Sequence, residues 1–428
     1  MANKFTKEET VAFDKLLMGF DDAQVLSKLI TKFSNDSSMM ERNNDVIWRP
    51  QPYIMNSFDG DDMTANFADK VQCSVPATIG FKKSVPWVMT QLELRDAIQE
   101  NRLGEGAKQK LASDINVAIM NVVSKQASVV VTQTTAAAGF IDVAKCDTAF
   151  NEQGIIGYDR KMALSSLAYN GMAANLANRD TLSKGKTQTA YETAYVGNIA
   201  GFETFKMDYA NRVAIAGAIA GTAVTISTLD AGLQFYAPEA TSTASTGEVS
   251  NVDNRFQQVT TTSTTSVAAG DCFTIATLYA VHHITKASTG RLKTFRVISV
   301  DSGTTMTVSP PIISNQVSSQ SGTQYQNCTI GTKSGTSALV FLNSVAANVN
   351  VFWQKGAIEL LPGRYAVPNN AGAAVMRGTT SNGLEIVMTK QFDINTLKTK
   401  FRVDCYFGVV NLAPEMSGII LFSQSAAT

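Results

Sequence analysis

Three short stretches of this 428-residue chain contain residue types that could do chemistry. The first, Gly185-Lys186-Thr187, has the ending of a phosphate-binding loop. The complete motif also needs a glycine about five positions before its last glycine, where this chain has Asp180. Those glycines let backbone N–H groups surround a phosphate, and no hydrophobic strand leads into the stretch. The sequence therefore argues against nucleotide binding.

The second stretch is an acidic cluster in which Asp59, Asp61 and Asp62 surround Gly60. Carboxylates this close together could bind Ca²⁺. However, the spacing of a calcium-binding loop and its final bidentate glutamate are missing. We predict an exposed loop here rather than a metal site.

The third stretch holds the only two histidines, His282 and His283. Adjacent residues of a strand point to opposite faces, so the two imidazoles cannot easily bind one ion. One of them could act as a base, but no serine or cysteine stands in a recognised nucleophile motif. Carboxylate pairs that meet only in the fold remain open. We predict an ordinary edge-strand pair, with no catalytic residue, no cofactor and no metal.

The five cysteines are scattered and lack both a Cys-x-x-Cys pair and the spacing of a metal site. Such a set is typical of free, buried thiols in a reducing cytoplasm. No apolar run approaches the ~18 residues that a membrane-spanning helix needs, and the N-terminus does not resemble a signal peptide. We therefore predict folding in the cytoplasm and no membrane partner.

The composition favours association over nucleic-acid recognition. Lys plus Arg and Asp plus Glu both number 36, so the formal net charge is zero, and only 17% of residues are charged. A sparsely charged, neutral surface favours association, whereas a dedicated DNA reader would carry a basic excess. The length predicts two or three domains.

The first element that the sequence predicts is an amphipathic helix over Lys7–Phe33. Its apolar stripe recurs at helical spacing and consists of Phe13, Leu16, Leu17 and Phe20. The stripe either packs on its own domain or docks on a partner, and the sequence leaves both open.

A stronger helix is predicted over Ala107–Gln126, where it would form a structural spine. Gly104 and Gly106 separate it from a shorter helical piece over Gln91–Glu100. A small-residue helix is predicted over Ala163–Asn178. Strands are predicted over Val46–Pro50, Val129–Val131, Leu384–Thr389 and Phe401–Val409, the last two with one half-buried face each.

From about Gly221 to Ser344 the chain becomes rich in Thr and Ser, which suit β-structure. In this region two alternating apolar pairs, Phe295 with Val297 and Met306 with Val308, flank the turn Asp301-Ser302-Gly303. That pattern predicts a β-hairpin. The sequence on either side looks like one interrupted fold, so we predict a β-rich domain inserted into an α/β chain.

Five segments occur in an order that resembles one known family. They are Val46-Ile47-Trp48-Arg49-Pro50, the helix from Ala107, Asn251-Val252-Asp253-Asn254-Arg255-Phe256, Asn350-Val351-Phe352-Trp353 and the run from Tyr406 to Glu415. With the chain length and the position of the insert, they resemble the major capsid protein of lambdoid short-tailed phages that infect enteric bacteria. The resemblance covers nearly the whole chain and is weakest over Thr132–Asp208.

The resemblance implies an α+β fold of the tailed-phage capsid type, named for phage Hong Kong ninety-seven, with a small antiparallel β-barrel inserted in its axial domain. The implied parts are an N-terminal arm (1–40), a strand with an extended β-loop (41–90), a peripheral domain with the start of the axial domain (91–220), the inserted barrel (221–344) and the remaining axial domain (345–428).

The implied function is structural and not enzymatic. Copies of such a protein assemble with a scaffolding protein into an icosahedral shell of hexamers and pentamers, with a portal protein at one vertex. The shell forms in the host bacterial cytoplasm and becomes the virion capsid. It expands as double-stranded DNA is pumped in, without sequence-specific binding of that DNA.

Candidate contacts between subunits follow from the same resemblance. They are the arm stripe Phe13, Leu16, Leu17 and Phe20, the loop acids Asp59, Asp61 and Asp62, and two residues of the loop Pro238–Ser250, Glu239 and Glu248. In relatives this last loop makes charged contacts between capsomers. Here only two charges are left in it, so we expect hydrogen bonding by Ser and Thr, or a single Glu248 contact.

Two other classes of protein stay open. A phage tail or adhesin-type protein would use the Thr- and Ser-rich β-domain to contact a host surface, and it would form small trimers or hexamers. An enzyme with an accessory β-domain would need a nucleophile or metal motif, which the sequence lacks.

Overall fold

The computed structural model describes residues 7–23, 26–33, 46–51, 55, 57–64, 67, 72–90, 92–93, 97–155, 157–177, 193–220, 223–226, 241–314, 324–330, 337–365 and 372–425. The chain divides into two compact units. Unit one comprises Met1–Ile47, Pro76–Val122 and Ile358–Val410, and unit two comprises Trp48–Val75, Val123–Ala357 and Asn411–Thr428. Within the described residues, helices and strands occur together, as the predicted α+β class requires.

Helices occupy Lys7–Ala23, Ala97–Gln126, Phe140–Glu152, Ser166–Ala177 and Gly217–Ala220, and 3-10 turns occupy Leu26–Lys28, Lys355–Ala357 and Pro414–Met416. The predicted extent of the arm helix was wrong. The helix ends at Ala23, and the later residues Thr31–Lys32 form a strand parallel to Ile358–Pro362.

The predicted break before the spine helix was also wrong. One helix of 30 residues runs through Gly104 and Gly106. Each glycine costs about 1 kcal/mol relative to alanine in a helix interior. The buried stripe that begins at Ala107 and continues through Leu111 and Ile115 offsets that cost.

Unit one is built on a six-stranded sheet. Its strands run in the order Thr31–Lys32, Ile358–Pro362, Lys398–Asn411, Glu385–Asp393 and Ala374–Thr379, with Phe81–Thr90 also paired to Lys398–Asn411. The predicted alternation over Phe401–Val409 holds only at its start, since every residue from Val403 onward is buried. Strands that are covered on both faces lose the alternating pattern.

Unit two contains a mixed six-stranded sheet, which we call the parent sheet. Its order is Val129–Thr132, Ser417–Leu421, Asn350–Gln354, Arg160–Ser165, Phe202–Met207 and Asn198–Ile199. Phe150, Phe202 and Phe352 form its aromatic core, with ring centroids 4.9–5.9 Å apart. Strands from before and after the Thr- and Ser-rich region therefore share one sheet.

The predicted start of the helix over Ala163–Asn178 was wrong. Residues 163–165 belong to the strand Arg160–Ser165, and the helix begins at Ser166. Ala163 and Leu164 are fully buried between neighbouring strands. Short apolar runs do not distinguish a buried strand from a helix, which explains the error.

The inserted region forms a second, antiparallel sheet of seven strands, which we call the inserted sheet. Its order is Thr225–Ile226, Ser337–Phe341, Cys272–Val281, Ser288–Val300, Thr305–Ser309 and Gln257–Thr260, with Cys328–Ile330 also paired to Cys272–Val281. It encloses its own core, which includes Phe273, Phe295, Val297 and Val308. The predicted hairpin is confirmed, because Val297 pairs with Val308.

Candidate assembly surfaces and the seam of the inserted sheet

The loop between the strands Val46–Pro50 and Ser74–Thr78 presents its acidic side chains to solvent, as predicted. Asp59, Asp61 and Asp62 are all exposed. Asp62 accepts hydrogen bonds from Thr64 Oγ1 at 2.6 Å and Thr64 N at 3.0 Å, and these bonds lower the pKa of the Asp62 carboxyl. Within the described residues, no three His, Cys, Asp or Glu side chains are placed to hold a metal ion.

The same loop also exposes large apolar side chains, which the sequence-based predictions missed. Phe67 is 85% exposed, Met55 is 66% exposed and Phe58 is 41% exposed. They follow no helical or strand period, so pattern analysis could not select them. Their only sequence signal is that large apolar residues stand in an otherwise polar loop.

The base of this loop is tied down within unit two. Gln51 Nε2 donates to the main-chain oxygen of Leu412 at 3.1 Å. Ser74 forms a parallel β-bridge with Asp253, and the Cys73 amide lies 3.5 Å from the Tyr325 hydroxyl. The exposed loop therefore extends from a fixed base.

The arm stripe packs within its own chain. Phe13, Leu16 and Phe20 are buried, and Leu17 is half-buried. Gly378, on the edge strand Ala374–Thr379, provides the close contact: a Cβ at Gly378 would lie 2.9 Å from Leu17 Cδ2 and 3.0 Å from Phe13 Cε1. Of the two alternatives the sequence left open, packing on its own domain is the one present in the structure. A contact of the stripe with another subunit stays a prediction.

The loop predicted to contact neighbouring capsomers forms a short exposed hairpin where it is described. Thr241–Thr243 pairs with Val249–Asn251, and all these residues are exposed. Glu248 lies in the exposed turn region, and Val249 is 61% exposed. Glu239 lies outside the described residues. Both glutamates stay predicted contacts.

We use the name seam for the contacts that join the inserted sheet to the rest of unit two. At one end, Asp253 and Arg255 form an ion pair with an Nη2–Oδ2 distance of 2.7 Å. Arg255 Nη1 also donates to the main-chain oxygen of Asn411 at 2.9 Å. Two of the segments that carried the resemblance therefore meet in space, although no pattern in the sequence assigns a role to Arg255.

Thr294 forms the middle of the seam. Its hydroxyl donates to the main-chain oxygen of Ser128 at 2.9 Å and accepts a hydrogen bond from the Val130 amide at 3.2 Å. Val130 belongs to the edge strand of the parent sheet. One threonine thus satisfies two backbone groups that a further strand would otherwise have paired.

A cluster of ionisable groups forms the other end of the seam. The Lys293 ammonium pairs with the Glu415 carboxylate, and only 2% of the Lys293 side chain is exposed. Burial opposes ionisation of Glu415, yet Lys293 and His283 hold the pKa of its carboxyl below the usual value. Burial lowers the pKa of Lys286 to about 8, although Glu415 opposes this shift.

The histidines were misplaced by the sequence prediction. They follow the strand Cys272–Val281 and lie in a turn, not on an edge strand. The turn packs on the end of the helix Phe140–Glu152: the His283 amide donates to the main-chain oxygen of Gln153, and the His282 ring lies against Gly154. Gly154 has a φ of 78°, and a Cβ there would meet the ring at 2.5 Å.

The cysteines behave as predicted. All five are free and buried. Burial raises the pKa of the Cys328 and Cys405 thiols to about 12. A thiol that does not ionise is a poor nucleophile and a poor metal ligand. Among the described residues, none of the helices combines the length and apolar character that crossing a bilayer requires.

Comparison with known families gives a match over almost the full chain. Residues 1–423 match the sequence model of a family described as "P22 coat protein - gene protein 5".

Solved structures with similarity to the chain include phage capsids. The structure described as "Mycobacterium phage Che8" is 10% identical, with 93% of this chain and 90% of that chain covered and a TM-score of 0.43. The "Capsid structure of the Cyanophage P-SCSP1u" is 10% identical, with 94% and 89% covered and a TM-score of 0.43. The "CUS-3 coat protein I-domain" is 32% identical over 29% of this chain and 97% of that chain, with a TM-score of 0.22.

Proposed function

Because the chain belongs to the P22 coat protein family, we propose that its copies assemble with a scaffolding protein into an icosahedral procapsid that expands when double-stranded DNA is packaged. Family membership makes it a structural major capsid protein of a tailed phage, with the α+β tailed-phage capsid fold. Its location is the capsid of the virion. The alternative of a tail or adhesin-type protein finds no support in a coat protein family.

We call the loop between the strands Val46–Pro50 and Ser74–Thr78 the extended loop. Its exposed apolar side chains carry the assembly part of this proposal. Isolated exposed hydrophobic residues are ordinary on a soluble protein, but Met55, Phe58 and Phe67 lie within thirteen positions of one loop. A loop with a fixed base and apolar side chains suits a contact with a second copy of the chain. The neighbouring carboxylates of Asp59, Asp61 and Asp62 would form the polar rim of such a contact.

The exposed hairpin offers a second contact of different chemistry. In the described part of the Pro238–Ser250 loop, Glu248 is the one charged side chain, and hydroxyl side chains dominate. Copies of the chain would meet here through Ser and Thr hydrogen bonds, with Val249 adding apolar area. A contact of this kind should weaken little with salt, because screening acts on charges.

The remaining partners follow from the same role. A portal protein would occupy one vertex, and hexamers and pentamers of this chain would form the wall. Zero net charge suits a wall that contains DNA without binding it, since multiple phosphate contacts would resist both packaging and release.

The test is coexpression of the chain with a scaffolding protein of the same phage in a bacterial host. We expect closed particles of uniform diameter in electron micrographs, and a fast-sedimenting peak that contains both proteins. Soluble chain that stays monomeric or forms only small oligomers beside soluble scaffold would contradict the proposal.

A further inference from the structure

The seam holds more potential positive charge than negative charge at its ionisable end. Among the described residues, Lys293, Lys286 and His283 face one carboxylate, that of Glu415. Lys286 Nζ donates to the main-chain oxygens of Gln324 at 2.7 Å and Gln326 at 3.1 Å. Two ammonium groups are therefore already present when the pH is neutral, and Glu415 balances only one of them.

His283 is the group of this cluster that can gain a proton as the pH falls below neutral. Its Nε2 atom is buried and has no hydrogen-bond partner among the residues that the structure describes. Its amide donates to the main-chain oxygen of Gln153, which fixes the backbone of the turn on the helix end. A proton on this ring would add a third positive charge next to Lys293 and Lys286.

The other groups around the ring do not offset such a charge. On the same turn, His282 Nδ1 accepts from the amides of Ile284 and Thr285 at 3.3 and 3.2 Å. On the helix Phe140–Glu152, the Glu152 carboxylate is paired with Arg291 at 2.8 Å. On the neighbouring strand, the Cys328 thiol stays protonated, because burial raises its pKa to about 12.

We propose that the seam is a proton-sensitive latch, in which acidification releases the inserted sheet from the parent sheet at the Lys293–Glu415 cluster. Opening of the seam exposes His283, Glu415 and Lys286 to water, where each of them binds a proton more readily than in the closed seam. All three groups therefore act in one direction, so a lower pH favours the open form.

The sign and size of the pH effect on seam opening follow from His283. Burial lowers its pKa from 6.5 to about 4, against the opposing effect of Glu415. Between these values the open seam is protonated and the closed seam is not. Proton linkage at this one ring then raises the opening equilibrium by about 20-fold between pH 7 and pH 5. The pKa of Lys286 is about 8, so Lys286 is charged in both forms below that pH and adds nothing in this window.

Hydrogen exchange of the unassembled chain tests the latch, so the result does not depend on shell formation. Exchange is followed by mass spectrometry at pH 7 and pH 5, with rates corrected for the intrinsic effect of pH. Peptides that cover Val129–Thr132 and Ser288–Val300 report on the seam, and Asn350–Gln354 reports on the centre of the parent sheet. We expect seam exchange to rise about 20-fold while the central strand changes little.

The decisive comparison uses His283→Leu, which fills the site without a titrating group, and His283→Gln as a second variant in case the first does not fold. In either variant the pH-dependent rise in seam exchange should fall below threefold. The latch is overturned if a folded variant keeps the wild-type rise, or if the central strand of the wild-type protein responds as strongly as the seam.

Discussion

Arg255 Nη1 donates a 2.9 Å hydrogen bond to the main-chain oxygen of Asn411, a residue 156 positions further along the chain. The same guanidinium pairs with Asp253, whose backbone bridges to Ser74 at the base of the extended loop. One side chain thus links the beginning of the insert, the base of the exposed loop and the last segment of unit two.

Removal of this guanidinium should destabilise unit two. Arg255→Met would leave the Asn411 oxygen and the partly buried Asp253 carboxylate without their partner. Loss of one member of such a pair costs about 3–5 kcal/mol when the remaining charge is buried. Because the Asp253 side chain is 24% exposed, we expect the lower end of that range, measured by urea unfolding. Arg291→Met, which breaks the exposed Arg291–Glu152 pair, is the matched control and should cost at most about 1 kcal/mol.

Thr294 provides a test of the seam that changes no charge. Thr294→Val keeps the branched shape but leaves the Ser128 oxygen and the Val130 amide without their side-chain partner. Each buried group left without a hydrogen bond costs about 1–3 kcal/mol. Because both hydrogen bonds are only partly buried, we expect the free energy of unfolding of unit two to fall by about 1–3 kcal/mol in total. Thr294→Ser keeps the hydroxyl and should recover most of the loss, and equal effects of the two variants would show that packing matters more than the hydrogen bonds.

The Lys293–Glu415 pair, in which Lys293 is buried and 22% of the Glu415 side chain is exposed, should show strong coupling. Lys293→Met or Glu415→Gln alone leaves one charged group of the seam without its partner, at a cost near the lower end of about 3–5 kcal/mol. The double variant leaves neither charge, so its cost should be smaller than the sum of the single costs by about 1–3 kcal/mol. A double-mutant cycle from equilibrium unfolding gives this coupling energy, and additive effects would contradict a direct interaction.

Much of the fold was predictable from local pattern, and the seam was not. The hairpin around Asp301 follows from alternation and a glycine-containing turn, both of which are short-range signals. Arg255 and Thr294 act through backbone atoms that lie more than one hundred positions away in the chain. No periodicity marks such residues, because an isolated polar side chain looks the same whether it is solvated or bonded to a distant strand.

The errors in helix bounds have a related cause. Gly104 and Gly106 disfavour a helix locally, but tertiary burial of the following stripe outweighs that preference. The exposed apolar residues of the extended loop could not be identified from local pattern. Phe20 stands in a stripe at helical spacing, whereas Phe67 follows no period, so no periodic pattern in the sequence indicated that Phe67 is 85% exposed.

Gly378 allows the arm to be tested without altering the arm itself. In Gly378→Ala the added Cβ would lie about 3 Å from Leu17 and Phe13, closer than ordinary contact. We expect the helix Lys7–Ala23 to shift off the edge strand, with faster hydrogen exchange in the arm and a loss of about 1–3 kcal/mol in unit one. Gly106→Ala is the control in the same unit, since its Cβ meets nothing and should stabilise the helix by about 1 kcal/mol. An arm that exchanges at the wild-type rate in Gly378→Ala would show that the Gly378 contact does not hold it.

Substitutions in the extended loop should test assembly separately from folding. Phe67 is 85% exposed and Met55 is 66% exposed within the chain, so Phe67→Ser with Met55→Ser removes little that the isolated subunit buries. Surface substitutions of this kind change stability by at most about 0.5 kcal/mol. The double variant should therefore keep the wild-type circular dichroism and unfolding midpoint. If the loop packs against a second copy, each apolar side chain buried there contributes about 1.5–3 kcal/mol to the contact, and its loss is repeated at every subunit.

For this reason we expect the loop double variant to yield few or no closed particles on coexpression with scaffolding protein. Ile284→Ser is the matched control, because Ile284 is 69% exposed on a turn of the inserted sheet and lies outside the loop. That variant should form particles at the wild-type yield. Normal shells from the loop double variant would remove the loop from the set of subunit contacts, whereas loss of shells in both variants would indicate a general sensitivity of assembly to exposed apolar area.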